Sequence, residues 1–254
     1  MDENYPIVFS DLDNTLFQTS RRLKSIKDSN VASVSSQGLP ISYQTLQQNK
    51  FYQWLSKTTE LIPVTGRSTE SYKRVKLNFS SFAITTFGAV ILDVNDNFIT
   101  KYAEHIRLEL NEYQHELQKI YERFSNFNKK ELNNNLRISF ALEYNMICHI
   151  KIKCVDHQNF KILLDLAGNL KLPIDKDLFY LHINENELCI IPKIITKSRA
   201  CGYLLKYLIS DSDNRPKIGI GDSISDLPFM ELCDFQSIPK ISQLNDQLNL
   251  SITQ

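Results

Sequence analysis

The chain has 254 residues, 42% of them apolar and 23% charged, which is the make-up of a soluble globular protein able to bury a substantial core in one domain or two. Lys plus Arg and Asp plus Glu both total 29, so no bulk field favours nucleic acid or an anionic membrane. Any anion site must be built locally.

The first six residues are acidic and polar, without the basic and then apolar pattern of a leader. No stretch approaches the roughly 20 apolar residues that a membrane span needs. Five cysteines (Cys148, Cys154, Cys189, Cys201, Cys233) are an odd number and lack Cys-x-x-Cys spacing. That speaks against a disulfide framework or a zinc site and for reduced thiols. A cytoplasmic protein is expected, with no nucleic-acid or membrane partner.

In chain order, Ile7-Val8-Phe9-Ser10 is an apolar run of strand type leading into Asp11-Leu12-Asp13-Asn14-Thr15. Residues i and i+2 of an extended chain point the same way, so Asp11 and Asp13 project together from the strand's end. Two adjacent carboxylates need a cation or a shared proton. A hard cation such as Mg²⁺ takes oxygen ligands and suits one or two carboxylates plus a substrate phosphate. By itself the string also reads as a strand ending in a polar turn.

A polar, basic segment over 18–30 follows. Runs at 31–35 and 39–43 flank Ser36-Gln37-Gly38 and predict a hairpin. A helix with Phe51, Trp54 and Leu55 on one face comes next. A strand over 61–64 ends at Thr65-Gly66-Arg67-Ser68, where Ser68 would cap a helix carrying Tyr72, Val75 and Phe79 inward. A third strand over 82–86 closes at Phe87-Gly88. Residues 89–92 and 98–102 bracket a polar turn, predicting another hairpin. The β-α-β-α-β order indicates a parallel α/β sheet.

The middle third changes character. Leu110, Tyr113, Leu117, Ile120, Phe124 and Phe127 step by three and four, an amphipathic helix with a packed face. Strands follow over 136–142 and 146–154, then a helix with Phe160, Leu163, Leu164 and Ala167 inward, stopped at Gly168-Asn169. A strand pair over 178–183 and 187–192 completes an α+β unit. The five histidines show no metal-ligand spacing. The α/β pattern then resumes with a helix carrying Ala200, Tyr203, Leu204, Tyr207 and Leu208, with Lys197 at its start. A strand over 217–220 leads into Gly221-Asp222-Ser223-Ile224-Ser225-Asp226. A short strand over 235–238 and a polar tail finish the chain. The predicted organisation is a discontinuous core, 1–103 with 190–254, and an inserted unit, 104–189.

Asp11-x-Asp13-x-Thr15, Thr65-Gly66-Arg67, Lys197 and Gly221-Asp222-x-x-x-Asp226 fall at strand ends or helix starts, and ligands of open α/β sheets bind outside the carboxyl ends of the strands. In order and spacing the four resemble the motifs of haloacid-dehalogenase-superfamily phosphohydrolases. The resemblance is to the branch with an α+β (C2-type) cap inserted after the third core strand, related to sucrose-phosphate, trehalose-phosphate and Cof-like phosphatases. It implies a Rossmann-like parallel core with a cap closing over a phosphate site.

It also implies roles. Asp11 resembles the nucleophile that becomes an aspartyl phosphate. Asp13 resembles the acid that protonates the leaving alcohol, keeping its proton for donation, and then activates water. Thr65, with Gly66, and Lys197 match the phosphate-holding groups. Asp222 matches the Mg²⁺ ligand, along with Asp11 and the backbone carbonyl of Asp13. Asp226 would support the metal from behind its ligands or orient Lys197. Arg67 is structural or adjacent to substrate.

Three departures stand out: Ser225 where the branch commonly has Asn, Phe87-Gly88 in place of Asn-Gly, and a long 21–43 segment that could cover the site or contact a partner. The implied function is a Mg²⁺-dependent phosphatase of a small phosphorylated metabolite, a sugar phosphate, in a monomer or weak homodimer. A phosphomannomutase-like phosphotransferase and a non-catalytic sugar-phosphate-binding protein are the alternatives.

Overall fold

Ile7, Val8, Phe9 and Ser10 are all buried, the condition of a strand covered on both faces of a parallel sheet. In the computed structural model, which describes residues 5–252 except 24, 133–134, 156–162, 164, 166–176 and 185–186, this strand, β1 (Ile7–Ser10), is central. The flap strands β2 (Gln18–Thr19), β3 (Asn30–Val34) and β4 (Pro40–Gln44) form a small sheet in the order β2-β4-β3. Helix α1 (Leu46–Thr58) then leads to β5 (Glu60–Pro63), parallel to β1 with Ile7 beside Glu60.

Thr45 caps α1 by accepting from the Gln48 N–H, and the Gln48 side chain accepts from the Thr45 N–H in return. Of the three apolar residues assigned to the inner face of α1, only Leu55 is fully buried; Trp54 is exposed. Ser68 caps α2 (Thr69–Tyr72) as predicted, but that helix is a single turn. Beyond it the backbone pairs with the flap instead: Val34 N–H donates to Arg74 C=O and Lys76 N–H to Ala32 C=O. Tertiary pairing overrides the helical spacing of Val75 and Phe79.

Strand β6 (Ala83–Thr85) meets the end of β5 through a parallel bridge between Val64 and Ile84, and pairs antiparallel with β7 (Val90–Leu92). The hairpin predicted over 89–102 is only half present. Leu92 bridges Phe98, but Thr100 opens the 32-residue helix α3 (Thr100–Glu131), because Tyr102, Ala103 and Ile106 extend the buried period of Leu110, Leu117, Ile120 and Phe124 backwards.

The chain divides into two compact units, Met1–Ile99 with Thr196–Gln254, and Thr100–Ile195. In the second, an antiparallel sheet runs β10-β11-β9-β8, where β8 is Leu136–Glu143, β9 Met146–Cys154, β10 Phe179–Asn184 and β11 Glu187–Pro192. Its apolar face, with Ile150, Ile152, Leu188 and Ile190, packs on Leu117, Ile120 and Phe124 of α3. Gln114 fastens helix to sheet, donating to Ile147 C=O and accepting from Ile147 N–H. The helix predicted around 160–167 and its stop at 168–169 lie outside the described residues, save Leu163, which is helical and buried in this core, and Asp165, which is helical and exposed.

The first unit resumes with α4 (Lys197–Tyr207) and β12 (Lys217–Ile220), parallel to β1 on the side opposite β5. Helix α5 (Leu227–Met230) and edge strand β13 (Phe235–Ser237) complete the sheet, in the order β13-β12-β1-β5. At its amino edge, buried Arg215 donates to Glu60 at 2.6 Å and to Tyr5 C=O at 2.7 Å. The polar tail is a helix, α6 (Gln243–Ile252), started by Ser242, whose hydroxyl accepts from Asn245 N–H. No helix among the described residues is long and apolar enough to cross a membrane.

Candidate active site

Asp11 is the first residue beyond β1, and its N–H donates to Ile220 C=O at the end of β12. Val64 N–H donates to Ser10 C=O, so β5 ends at the same level. The carboxyl edge of the sheet therefore presents Asp11, Thr65 and Asp222 from three neighbouring strands. Lys197 arrives at the first position of α4, where Thr196 caps the helix by accepting from Arg199 N–H.

The Lys197 ammonium bridges two buried carboxylates, 2.6 Å from Asp11 Oδ1 and 2.7 Å from Asp226 Oδ1. It also lies 5.8 Å from the centre of the Phe229 ring. The other oxygen of Asp226 accepts from Asp222 N–H, Ser223 N–H and Ser223 Oγ at 3.2, 3.0 and 2.8 Å. Asp226 thus orients Lys197 and fixes the loop bearing Asp222. Ser225 Oγ is 2.9 Å from Ser223 Oγ, so its hydroxyl backs the group that holds Asp226.

Asp11, Asp222 and Asp226 each place a carboxylate oxygen within 4.8 Å of the others. Three buried carboxylates against one ammonium leave two negative charges in excess, and hard oxygen donors suit a divalent cation. The donor set fits such an ion. Burial, with Asp226, Asp222 and Asp13 nearby, pushes the Asp11 carboxyl well above its ordinary range against the pull of Lys197. Burial and then Asp226 push Asp222 up to about 6, opposed by Lys197 and Arg22. Burial works against the charged form of Lys197, but Asp11 and Asp226 outweigh it and hold its pKa above the ordinary lysine value.

A pH dependence follows for protein stripped of metal. An unfolded Asp sheds its proton near pH 4, whereas folded Asp222 keeps it to about 6. Between those values the folded state binds more protons, so this group's contribution to stability falls as pH rises through the window. Asp222→Asn is expected to gain on wild type in thermal unfolding as pH goes from about 4 to about 7. A difference between the two that stays constant with pH would overturn this.

Asp13 pairs with Arg67. Both of its oxygens accept from Arg67, at 2.7 Å from Nε and from Nη2. The Arg67 fork therefore engages the whole carboxyl group of Asp13. Asp13's side chain is not a member of the buried triad; Asp226 is. Thr65 is buried, with its hydroxyl accepting from Arg67 N–H. Gly66 lies under the Phe87 ring, where a Cβ would come within 2.6 Å of ring carbons. So where the resembling branch has Asn, this chain uses a side chain to cover the Thr65-Gly66 turn.

Gly88 has φ +99°, and a Cβ there would stand 2.1 Å from the Thr196 carbonyl, in the cap that starts α4. Gly88→Ala is expected to cost about 1–3 kcal/mol in thermal unfolding, because the backbone of the Lys197 turn must shift. An unchanged Tm would show that the turn has room. The flap, left open in sequence as cover or partner contact, is fastened to the Asp11–Thr15 loop: Gln44 donates to Leu16 C=O, and Gln48, just beyond the flap, to Thr15 C=O. Ser42 and Phe17, both against Arg67, were invisible in sequence, since neither carries a local signal.

The parallel core with its carboxyl-edge cluster, joined in one chain to a separate α+β unit, is a fold that recurs among solved structures. Among solved structures, the sucrose-phosphatase of Synechocystis sp. PCC6803, determined with sucrose and phosphate, matches with TM-score 0.54 at 18% identity, over 97% of this chain and 87% of that one. The C-terminal domain of trehalose-6-phosphate phosphatase from C. albicans matches with TM-score 0.55 at 12% identity, over 90% and 73%. SMU.1108c from Streptococcus mutans UA159 matches with TM-score 0.53 at 10% identity, over 96% and 91%. At such identities the likeness is one of fold. No family model matches the chain, and no curated protein matches it.

Proposed function

We propose that this chain is a Mg²⁺-dependent phosphatase of a small phosphorylated metabolite, a sugar phosphate, working through an aspartyl phosphate. One observation carries the reading: Lys197, 186 residues from Asp11, stands 2.6 Å from its carboxylate in a buried cluster completed by Asp222 and Asp226. Burying three acids together destabilises a fold unless positive charge and hydrogen bonds compensate them, and one ammonium leaves room for a cation. The sugar-phosphate class is supported by the fold neighbours named for sucrose and trehalose 6-phosphate.

In this mechanism an Asp11 carboxylate oxygen attacks phosphorus while the bond from phosphorus to the alcohol oxygen breaks. The departing oxygen takes a proton from Asp13. Water then attacks the aspartyl phosphate, giving a proton to Asp13 and freeing phosphate and Asp11. Lys197 and Thr65 hold the phosphoryl oxygens, and Asp226 keeps Lys197 aimed. Asp11, Asp222 and the Asp13 carbonyl would hold a Mg²⁺ ion, which would supply the charge neutralisation that lets two anions meet.

The test is phosphate release over a panel of sugar and nucleotide phosphates with Mg²⁺, without a bisphosphate activator. Release from a sugar phosphate that EDTA abolishes is the expected result. Activity undiminished by EDTA would refute the metal, and turnover only with a bisphosphate would point to phosphotransfer between hydroxyls.

A further inference from the structure

The amino edge of the core sheet, at the other end of the strands from the acidic cluster, carries a second buried polar group. Glu60 opens β5, which leads to Thr65, and Tyr5 precedes β1, which leads to Asp11. Arg215, just before β12, joins them: Nε donates to Tyr5 C=O at 2.7 Å, Nη2 to Glu60 Oε2 at 2.6 Å and Nη1 to Ser210 C=O at 3.4 Å. Ser81 donates to the other Glu60 oxygen at 2.6 Å. The Arg215 and Glu60 side chains are 4% and 8% exposed. A tie that only fastened strands together would be packed over. These residues instead line a cavity of about 350 Å³, whose walls include Phe82, Val94 and Leu208.

A guanidinium has five N–H donors. Among the described residues, three of those on Arg215 find protein acceptors, one of them at the long distance of 3.4 Å. Each Glu60 oxygen accepts one hydrogen bond and keeps capacity for another. A single group that accepts from Arg215 while donating to Glu60 is a hydroxyl. An ammonium cannot accept, and a phosphate dianion cannot donate. Asp93 also lines the cavity, its carboxylate accepting from the Asn95 and Asn97 N–H groups, so two carboxylates stand against one guanidinium and an anion is disfavoured. Small-molecule pockets begin at about 300 Å³, so the space suits a ligand of monosaccharide size, whose C–H groups match the apolar walls.

We infer that this cavity is a second ligand site, one that binds a neutral polyol of about monosaccharide size through Arg215 and Glu60. The inference does not depend on the phosphatase reading. A cavity this polar holds water, and hydroxyls that reproduce the water's hydrogen bonds can replace it.

The experiment titrates nitrogen-15-labelled protein in EDTA with D-glucose, D-mannose and D-fructose and follows backbone amide shifts. With at least one sugar, saturable shifts are expected at 80–82, 93–94 and 208–210, the segments around the cavity. The mirror-image sugar should not reproduce them, whereas an excluded osmolyte acts alike in both hands. Val94 is 59% exposed, so Val94→Trp fills the cavity from its open side without removing a hydrogen-bonding group, and should abolish the shifts while the protein stays folded. Arg215→Lys keeps the charge without the fork and should weaken binding by at least about 10-fold, the scale of one lost bond to a charged group. If that variant does not fold, Val94→Trp decides. No saturable shift with any of the three sugars, equal shifts from both mirror images, or shifts confined to residues around Asp11 and Lys197 would overturn the site. The same shifts raised by inorganic phosphate or tetramethylammonium, and not by a sugar, would overturn the neutral-polyol assignment.

Discussion

Asp11→Asn is expected to lower phosphate release by at least about 1000-fold, the scale seen when a covalent nucleophile is removed. The amide fills the same volume but offers no anionic oxygen, so no aspartyl phosphate can form. Stability should move the other way. Burial and the neighbouring Asp226, Asp222 and Asp13 all disfavour the charge on Asp11, while Lys197 keeps its second partner at 2.7 Å. Removing that charge relieves repulsion without orphaning the ammonium. In EDTA the variant should therefore unfold at or above the wild-type Tm. Mg²⁺ should raise its Tm less than it raises that of wild type, since one ligand is gone. Phosphate release together with a Tm series in EDTA and Mg²⁺ decides it. Turnover surviving in Asp11→Asn would refute the assignment, whatever the Tm does.

The parts of this site that were legible in sequence are those written locally. The run from Ile7 to Ser10, buried throughout, could only be a strand covered on both faces, and the acids after it follow from where such a strand ends. Asp222 and Asp226 are legible for the same reason, on the turn after β12. Lys197 was different. Alone it is an ordinary helix-start lysine, and only resemblance to a family pattern pointed to it.

What stayed hidden is what long-range contact decides. Arg67 reaches Asp13 across 54 residues and Ser42 across 25, and no local spacing encodes either contact. The helix after Ser68 stops at Tyr72 because Arg74 and Lys76 find flap partners for their backbones, although Val75 and Phe79 keep the helical interval. The start of α3 was lost to the β-like string Phe98-Ile99-Thr100, whose propensity yields to the packing of Tyr102 and Ile106. In the tail, Ser242 carried a readable cap signal that the polar composition masked.

Lys197→Met should be the most destabilising single change at the site, by about 3–5 kcal/mol, the cost of leaving a buried charge without its partner. Methionine matches the length of the aliphatic stem and can lie against Phe229, so packing is largely kept and charge is what changes. Asp226 is fully buried and Asp11 and Asp222 nearly so; without the ammonium all three face one another. They must take up protons or open the fold. For a chain of this size the Tm should drop by roughly 10 °C in EDTA at neutral pH. Two manipulations should restore part of it by the same electrostatic route. Mg²⁺ supplies the missing positive charge, and Asp226→Asn on top of Lys197→Met removes one of the acids, so the double variant should unfold above the single one. Phosphate release should be lost in every variant lacking Lys197, including those whose Tm recovers, because a neutral side chain cannot hold the phosphoryl oxygens. A Lys197→Met protein as stable as wild type in EDTA would mean that the three acids are not held together by this lysine, and the electrostatic account of the cluster would fall.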